Sequence, residues 1–80
     1  MLLQYIKVAV KQAQYKQLED KSWFAEISGY PGVWANAVTI EDCRSELIEV
    51  LEEWILLKTR AHEDIPVIEG LDINVKPATV

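Results

Sequence analysis

Between Trp23 and Ile55 the chain reads WFAEISGYPGVWANAVTIEDCRSELIEVLEEWI, and Tyr30-Pro31-Gly32 forces a reversal between two short apolar runs. Pro31 fixes its own φ and steers Tyr30 away from the helical region, while Gly29 and Gly32 permit φ values that other residues avoid. The run before the turn, Trp23 to Ile27, is rich in β-forming residues, and the run after it, Val33 to Val38, sets small Val33, Ala35 and Ala37 against Trp34, Asn36 and Val38. Two strands joined by so short a connection pair antiparallel, and the small-residue face of the second suits a helix lying across it.

That helix announces itself next. Thr39 with Asp42 three positions on approximates a capping box, and Glu41 and Asp42 fall in the first turn, where the helix dipole favours negative charge. At ~100° per residue, Ile40, Cys43, Leu47, Val50, Leu51, Trp54 and Leu57 form one apolar stripe, with Glu41, Asp42, Glu46, Glu49, Glu52 and Glu53 opposite. Lys58, Arg60 and His62 close the last turn. Ile48, Ile55 and Leu56 fall outside the stripe and leave more apolar helix surface than one sheet covers, so they are the candidate contact for a homodimer or a dimer of dimers.

On either side of this core the pattern is shorter. Leu2, Leu3, Ile6, Ala9, Val10 and Ala13 recur at helical spacing, so residues 1–12 read as an extra N-terminal helix, although KVAVK would also start a strand. Tyr15 to Leu18 reads as a strand, joined to Trp23 through the polar turn Glu19-Asp20-Lys21-Ser22. Ile65-Pro66 ends the long helical region, Gly70 allows a turn, Leu71 to Val75 alternates as a fourth strand, and residues 76–80 make a frayed tail. The order α-β-β-β-α-β over residues 1–80 is one α+β domain: a small antiparallel sheet of three to four strands with one long helix packed on it.

The composition narrows function. Half of the 80 residues are apolar and the formal net charge is −5. That is enough for one modest core, and it is the wrong sign for binding a phosphate backbone, so a basic protein is the expected partner and nucleic acid is not. The N-terminus has neither the architecture of a signal peptide nor the length of a membrane span, and the lone Cys43 gives no sign of an oxidising compartment, so a cytoplasmic protein is expected. Cys43 and His62 lack any zinc-ligand spacing; no cofactor or metal site is expected. Ser22, Ser28 and Ser45 lie in no nucleophile motif, and the glycines form no phosphate-binding loop. The sharpest candidates are a protein-binding surface: Tyr30 and Trp34 flanking the Pro-Gly turn as aromatic anchors, with Glu46, Glu49 and Glu53 of the acidic helix face beside them. The two aromatics could equally fill the core. A rival from another class is a divergent metal-dependent nuclease or hydrolase using Glu19, Asp20 or Glu26 near the hairpin.

From Tyr15 to Val75, and best from Trp23 to Trp54, the chain resembles the HicB-like antitoxin domain, in which an apolar strand end, a Pro-Gly turn, a short strand and Thr-x-Glu-Glu-Ala follow in order. Here those places hold Ile27, Pro31-Gly32, Val33 to Val38 and Thr39-Ile40-Glu41-Asp42-Cys43. Ser28-Gly29 replaces the usual Pro-Asp, Ala37 stands where Gly is common, and the N-terminal helix is an addition. The resemblance implies a partial ribonuclease H-like β-β-β-α-β fold without that enzyme's catalytic carboxylates. It also implies an antitoxin-type domain that binds a small basic ribonuclease toxin of the HicA type and covers its RNA-binding surface, or a solitary member that keeps only self-association. Full antitoxins add a C-terminal DNA-binding segment; the chain ends too early for one, and control of its own operator is not expected.

Overall fold

The computed structural model describes residues 2–74. Helix α1 (Leu2–Lys11) leads into strands β1 (Gln14–Gln17), β2 (Trp23–Glu26) and β3 (Trp34–Ala37), followed by the long helix α2 (Ile40–Arg60). The strands form an antiparallel meander in the order β1-β2-β3, with Tyr15 opposite Ala25 and Ala25 opposite Ala35. Because directly opposed residues share a face, Tyr15, Ala25 and Ala35 line the inner side under α2, while Lys16, Phe24, Glu26, Trp34 and Asn36 line the outer side. The alanines are what let α2 lie close: Ala25 and Ala35 are buried and leave room for Cys43, Leu47 and Leu51, each of which is fully enclosed.

Local chemistry sets the ends of α2. The Thr39 hydroxyl accepts from the Asp42 amide at 3.1 Å, an N-cap that contributes about 1 kcal/mol. At the other end Ala61 donates to the Leu57 carbonyl, Glu63 donates to Lys58 at 2.9 Å, and His62 takes the left-handed conformation (φ 56°) that reverses the chain.

Three features depart from the sequence-based expectation. Residues 71–74 do not form a fourth strand: Leu71 makes one bridge to Ile68 across a turn carried by Glu69 and Gly70, both at positive φ, and there the ladder stops. The reason is side-chain competition. Asn74 accepts from the Ile65 amide at 2.7 Å and donates to the Ile65 carbonyl at 2.9 Å, so its amide occupies the backbone groups a ladder would use, while Asp72 turns the chain by accepting from the Asn74 amide. Val75 and the tail at 76–80 lie outside the described residues.

The buried stripe of α2 is also rotated. Ile55 belongs to the core at 7% exposure, Ile48, Val50 and Trp54 are half-buried, and Ile40 and Leu57 lie in solvent. Helix α1 packs along the flank that carries Ile48 and Ile55, and this second covering surface shifts the centre of burial toward it. Tyr5, Ile6, Ala9 and Val10 supply the α1 side of that contact. Third, Tyr30 is buried rather than displayed, for reasons that belong to the site below.

Candidate functional site: the acidic helix and the Pro-Gly turn

The turn after β2 is built by Tyr30 donating its amide to the Ile27 carbonyl and Val33 donating to Tyr30, with Gly29 and Gly32 both at φ 87°. A residue with a Cβ adopts that angle only with strain, which glycine avoids. The turn is then fastened to both helices. The Trp54 indole donates to the Pro31 carbonyl at 3.1 Å, and the Tyr30 ring lies against the Trp54 ring at a centroid distance of 5.3 Å and a 60° tilt. Lys58 also sits over the Trp54 ring, 5.2 Å from its centre. From α1, the Tyr5 hydroxyl meets the Tyr30 hydroxyl at 2.7 Å and donates to the carbonyl of Pro66. Tyr30 is therefore 5% exposed and acts as a joint between α1, α2 and the turn, which corrects its assignment as an exposed anchor. Sequence alternation around a turn cannot tell which side a tyrosine takes; the partner hydroxyl on α1 decides it.

Trp34 stands as expected, 55% exposed, but its ring stacks on Phe24 (6.0 Å, 25°) on the outer side of the sheet. Glu46, Glu49 and Glu53 are exposed on the side of α2 that faces away from the sheet, together with Glu41, Asp42 and Glu52. Trp34 and the acidic face thus lie on opposite sides of the sheet, and the structure does not bring them together as one surface. Among the described residues the ion pair is Lys58–Glu63 at 2.7 Å, so none of the six carboxylates on the outer face of α2 is held in an ion pair there. Arg44, Lys58 and Arg60 interrupt the helix sequence without pairing with them. The face is a predominantly negative field on a rigid rod, capable of steering a basic partner.

The carboxylates named for hydrolytic chemistry are dispersed. Glu19 and Asp20 sit in the β1–β2 turn, whereas Glu26 is at the far end of β2 opposite Gln14. Asp20 is engaged locally: the Ser22 hydroxyl and amide donate to it and hold its carboxyl below the usual carboxylate range. Cys43 is enclosed under β2 and β3, with its thiol near the Trp23 and Ala35 carbonyls, and burial pushes it above the usual thiol range. His62 is exposed beyond the other end of the same helix.

A surface of which sequence reasoning named Ile55 and Leu56, but not the α1 side, lies between the two helices. Leu2 and Leu3 of α1 and Leu56 of α2 are exposed around a groove floored by Ile6 and Ile55, about 740 Å³ in volume. The spacing of Leu2 and Leu3 predicts the inner side of α1 for them; at the end of a ten-residue helix they overrun the surface that α2 can cover.

The UPF0150-like family model matches residues 4–66. The chain belongs to the UPF0150-like family. This small family is related to HicB-type antitoxin domains. The match takes in α1 from Gln4 onward, all three strands and α2, so most of α1 falls within the family pattern. Among solved structures, TTHA0281 from Thermus thermophilus is similar over 95% of each chain, with 28% identity and a TM-score of 0.87. No curated protein matches the chain. No helix of the described residues is long and apolar enough to cross a membrane.

Proposed function

We propose that this chain is a non-enzymatic protein-binding domain of the HicB antitoxin type, and that its partner is a small basic ribonuclease toxin of the HicA type. The observation that carries the reading is the outer face of α2, where Glu41, Asp42, Glu46, Glu49, Glu52 and Glu53 project from one rigid helix and none of them forms an ion pair among the described residues. Such a field repels a phosphate backbone and attracts the basic surface with which a ribonuclease grips RNA. Family membership supports the reading, because the relatives of this family include antitoxin domains. The dispersed carboxylates of the hairpin favour binding over hydrolysis, since metal-assisted cleavage needs them converged on one centre.

The test is the association kinetics of the chain with a basic ribonuclease encoded beside its gene. Association slows as salt rises from roughly 0.05 to 0.5 M, because the Debye length shrinks from over 10 Å to under 5 Å. Replacing Glu46, Glu49 and Glu53 together with Gln lowers the association rate about tenfold while changing dissociation less. An unchanged on-rate in the triple variant removes the mechanism. Cleavage of RNA by the chain alone with Mg²⁺, lost in Glu26→Ala, would replace the binding reading with the hydrolytic one.

A further inference from the structure

The groove between α1 and α2 has an apolar floor and a one-sided rim. Glu49, Glu52 and Glu53 edge it on the α2 side, and no hydrogen-bond donor of a side chain other than the Thr59 hydroxyl lines it. Thr59 is itself committed to the Ile55 carbonyl at 2.8 Å. A small-molecule site needs a few convergent polar groups to orient its ligand, and this groove offers none; its shape and chemistry are those of a protein contact.

The charges name the occupant. Helix α1 reads LLQYIKVAVK and carries Lys7 and Lys11 with no carboxylate, whereas the stretch of α2 beside it carries three glutamates. Lys7 is exposed one turn beyond Leu3, on the same side of α1, and forms no ion pair with α2 of its own chain. The two helices run antiparallel, with Leu2 and Leu3 near Leu56 and Thr59, and Val10 and Lys11 near Ile40 and Arg44. One face therefore presents a basic helix, an apolar centre and an acidic helix side by side, and such a face is complementary to itself after a half-turn.

We infer that the α1–α2 groove is a two-fold interface with a second copy of this chain. An axis running along the groove sets each α1 on the partner's α2. Leu2, Leu3 and Leu56 of both copies then close over the apolar floor, and each Lys7 meets the glutamate rim of the other copy. The contact takes the carboxylates of the C-terminal half of α2 and leaves Glu41, Asp42 and Glu46 facing solvent. The inference does not rest on the toxin reading, but it bears on it: in the dimer Glu49, Glu52 and Glu53 meet the second copy, and a basic partner is left Glu41, Asp42 and Glu46.

Sedimentation equilibrium of the full chain at micromolar concentration, with circular dichroism to verify folding, tests it. The wild type sediments as a dimer, and Leu3→Glu or Leu56→Glu gives a folded monomer, because both side chains are exposed within one copy. Lys7→Glu and Glu52→Lys each weaken the dimer at least tenfold, and an equimolar mixture of those two variants restores it. In the mixed dimer both symmetry-related contacts regain opposite charges, a result that requires a direct Lys7–Glu52 contact between copies. A wild-type monomer overturns the inference, as does a dimer that survives Leu3→Glu and Leu56→Glu, or a mixture no tighter than its components. Groove variants that lose a basic partner while the wild type remains monomeric overturn it too, and assign the groove to that partner.

Discussion

Leu47→Ala and Leu51→Ala each lower the stability of the chain by about 2–5 kcal/mol, because both side chains are fully enclosed between α2 and the sheet and their removal leaves a cavity as well as a lost transfer term. A domain this small has only ~5 kcal/mol or little more in total, so either variant populates the unfolded state at room temperature. Leu57→Ala, by contrast, changes stability by less than about 0.5 kcal/mol, since Leu57 is 56% exposed. Urea melts followed by circular dichroism, with the m-value checked for two-state behaviour, measure all three. A Leu57→Ala loss equal to that of Leu51→Ala would mean that α2 packs in the rotation expected from its sequence alone.

Tyr5 is the second place where one substitution has a large effect. It is fully buried, and its hydroxyl joins Tyr30 and the Pro66 carbonyl, so it ties α1 to the Pro-Gly turn and to the segment after α2. Tyr5→Ala costs ~3–5 kcal/mol through the cavity, and Tyr5→Phe costs ~1–3 kcal/mol by leaving the Tyr30 hydroxyl and the Pro66 carbonyl short of a partner.

The same burial, with the adjoining Tyr30 hydroxyl, pushes the Tyr5 phenol well above its ordinary range. Its folded pKa exceeds its unfolded one. The stability it contributes is therefore complete below about pH 10, where the unfolded chain also keeps the proton, and is lost above that as the unfolded phenol ionises first. Tyr15 and Cys43, both pushed up by burial, add to the decline, with Cys43 contributing from about pH 8.5. Melts across this range show a shallower alkaline loss for Tyr5→Phe than for the wild type, with the Tyr15 and Cys43 part retained. Parallel slopes would place Tyr5 in contact with water.

The sheet, the turn and the long helix were legible in the sequence because each rests on local chemistry: Pro31 and Gly32 for the reversal, alternation of small residues in β3, and Thr39 for the start of α2. The acidic face was legible for the same reason, since charged side chains on one side of a helix stay in water whatever packs on the other. Tertiary structure decided the rest. Which side of α2 is most buried depended on α1 arriving along Ile48 and Ile55, a contact between segments more than thirty residues apart that no local period encodes. Tyr30 and Trp34 looked alike in sequence, two aromatics beside one turn. They part company because Tyr30 finds a hydroxyl on α1 and an indole on α2, while Trp34 alternates onto a sheet face that no helix covers. The expected fourth strand failed for a like reason: alternation at 71–75 satisfied the β pattern, but the Asn74 amide reached Ile65 first and occupied the backbone groups that a strand would have needed.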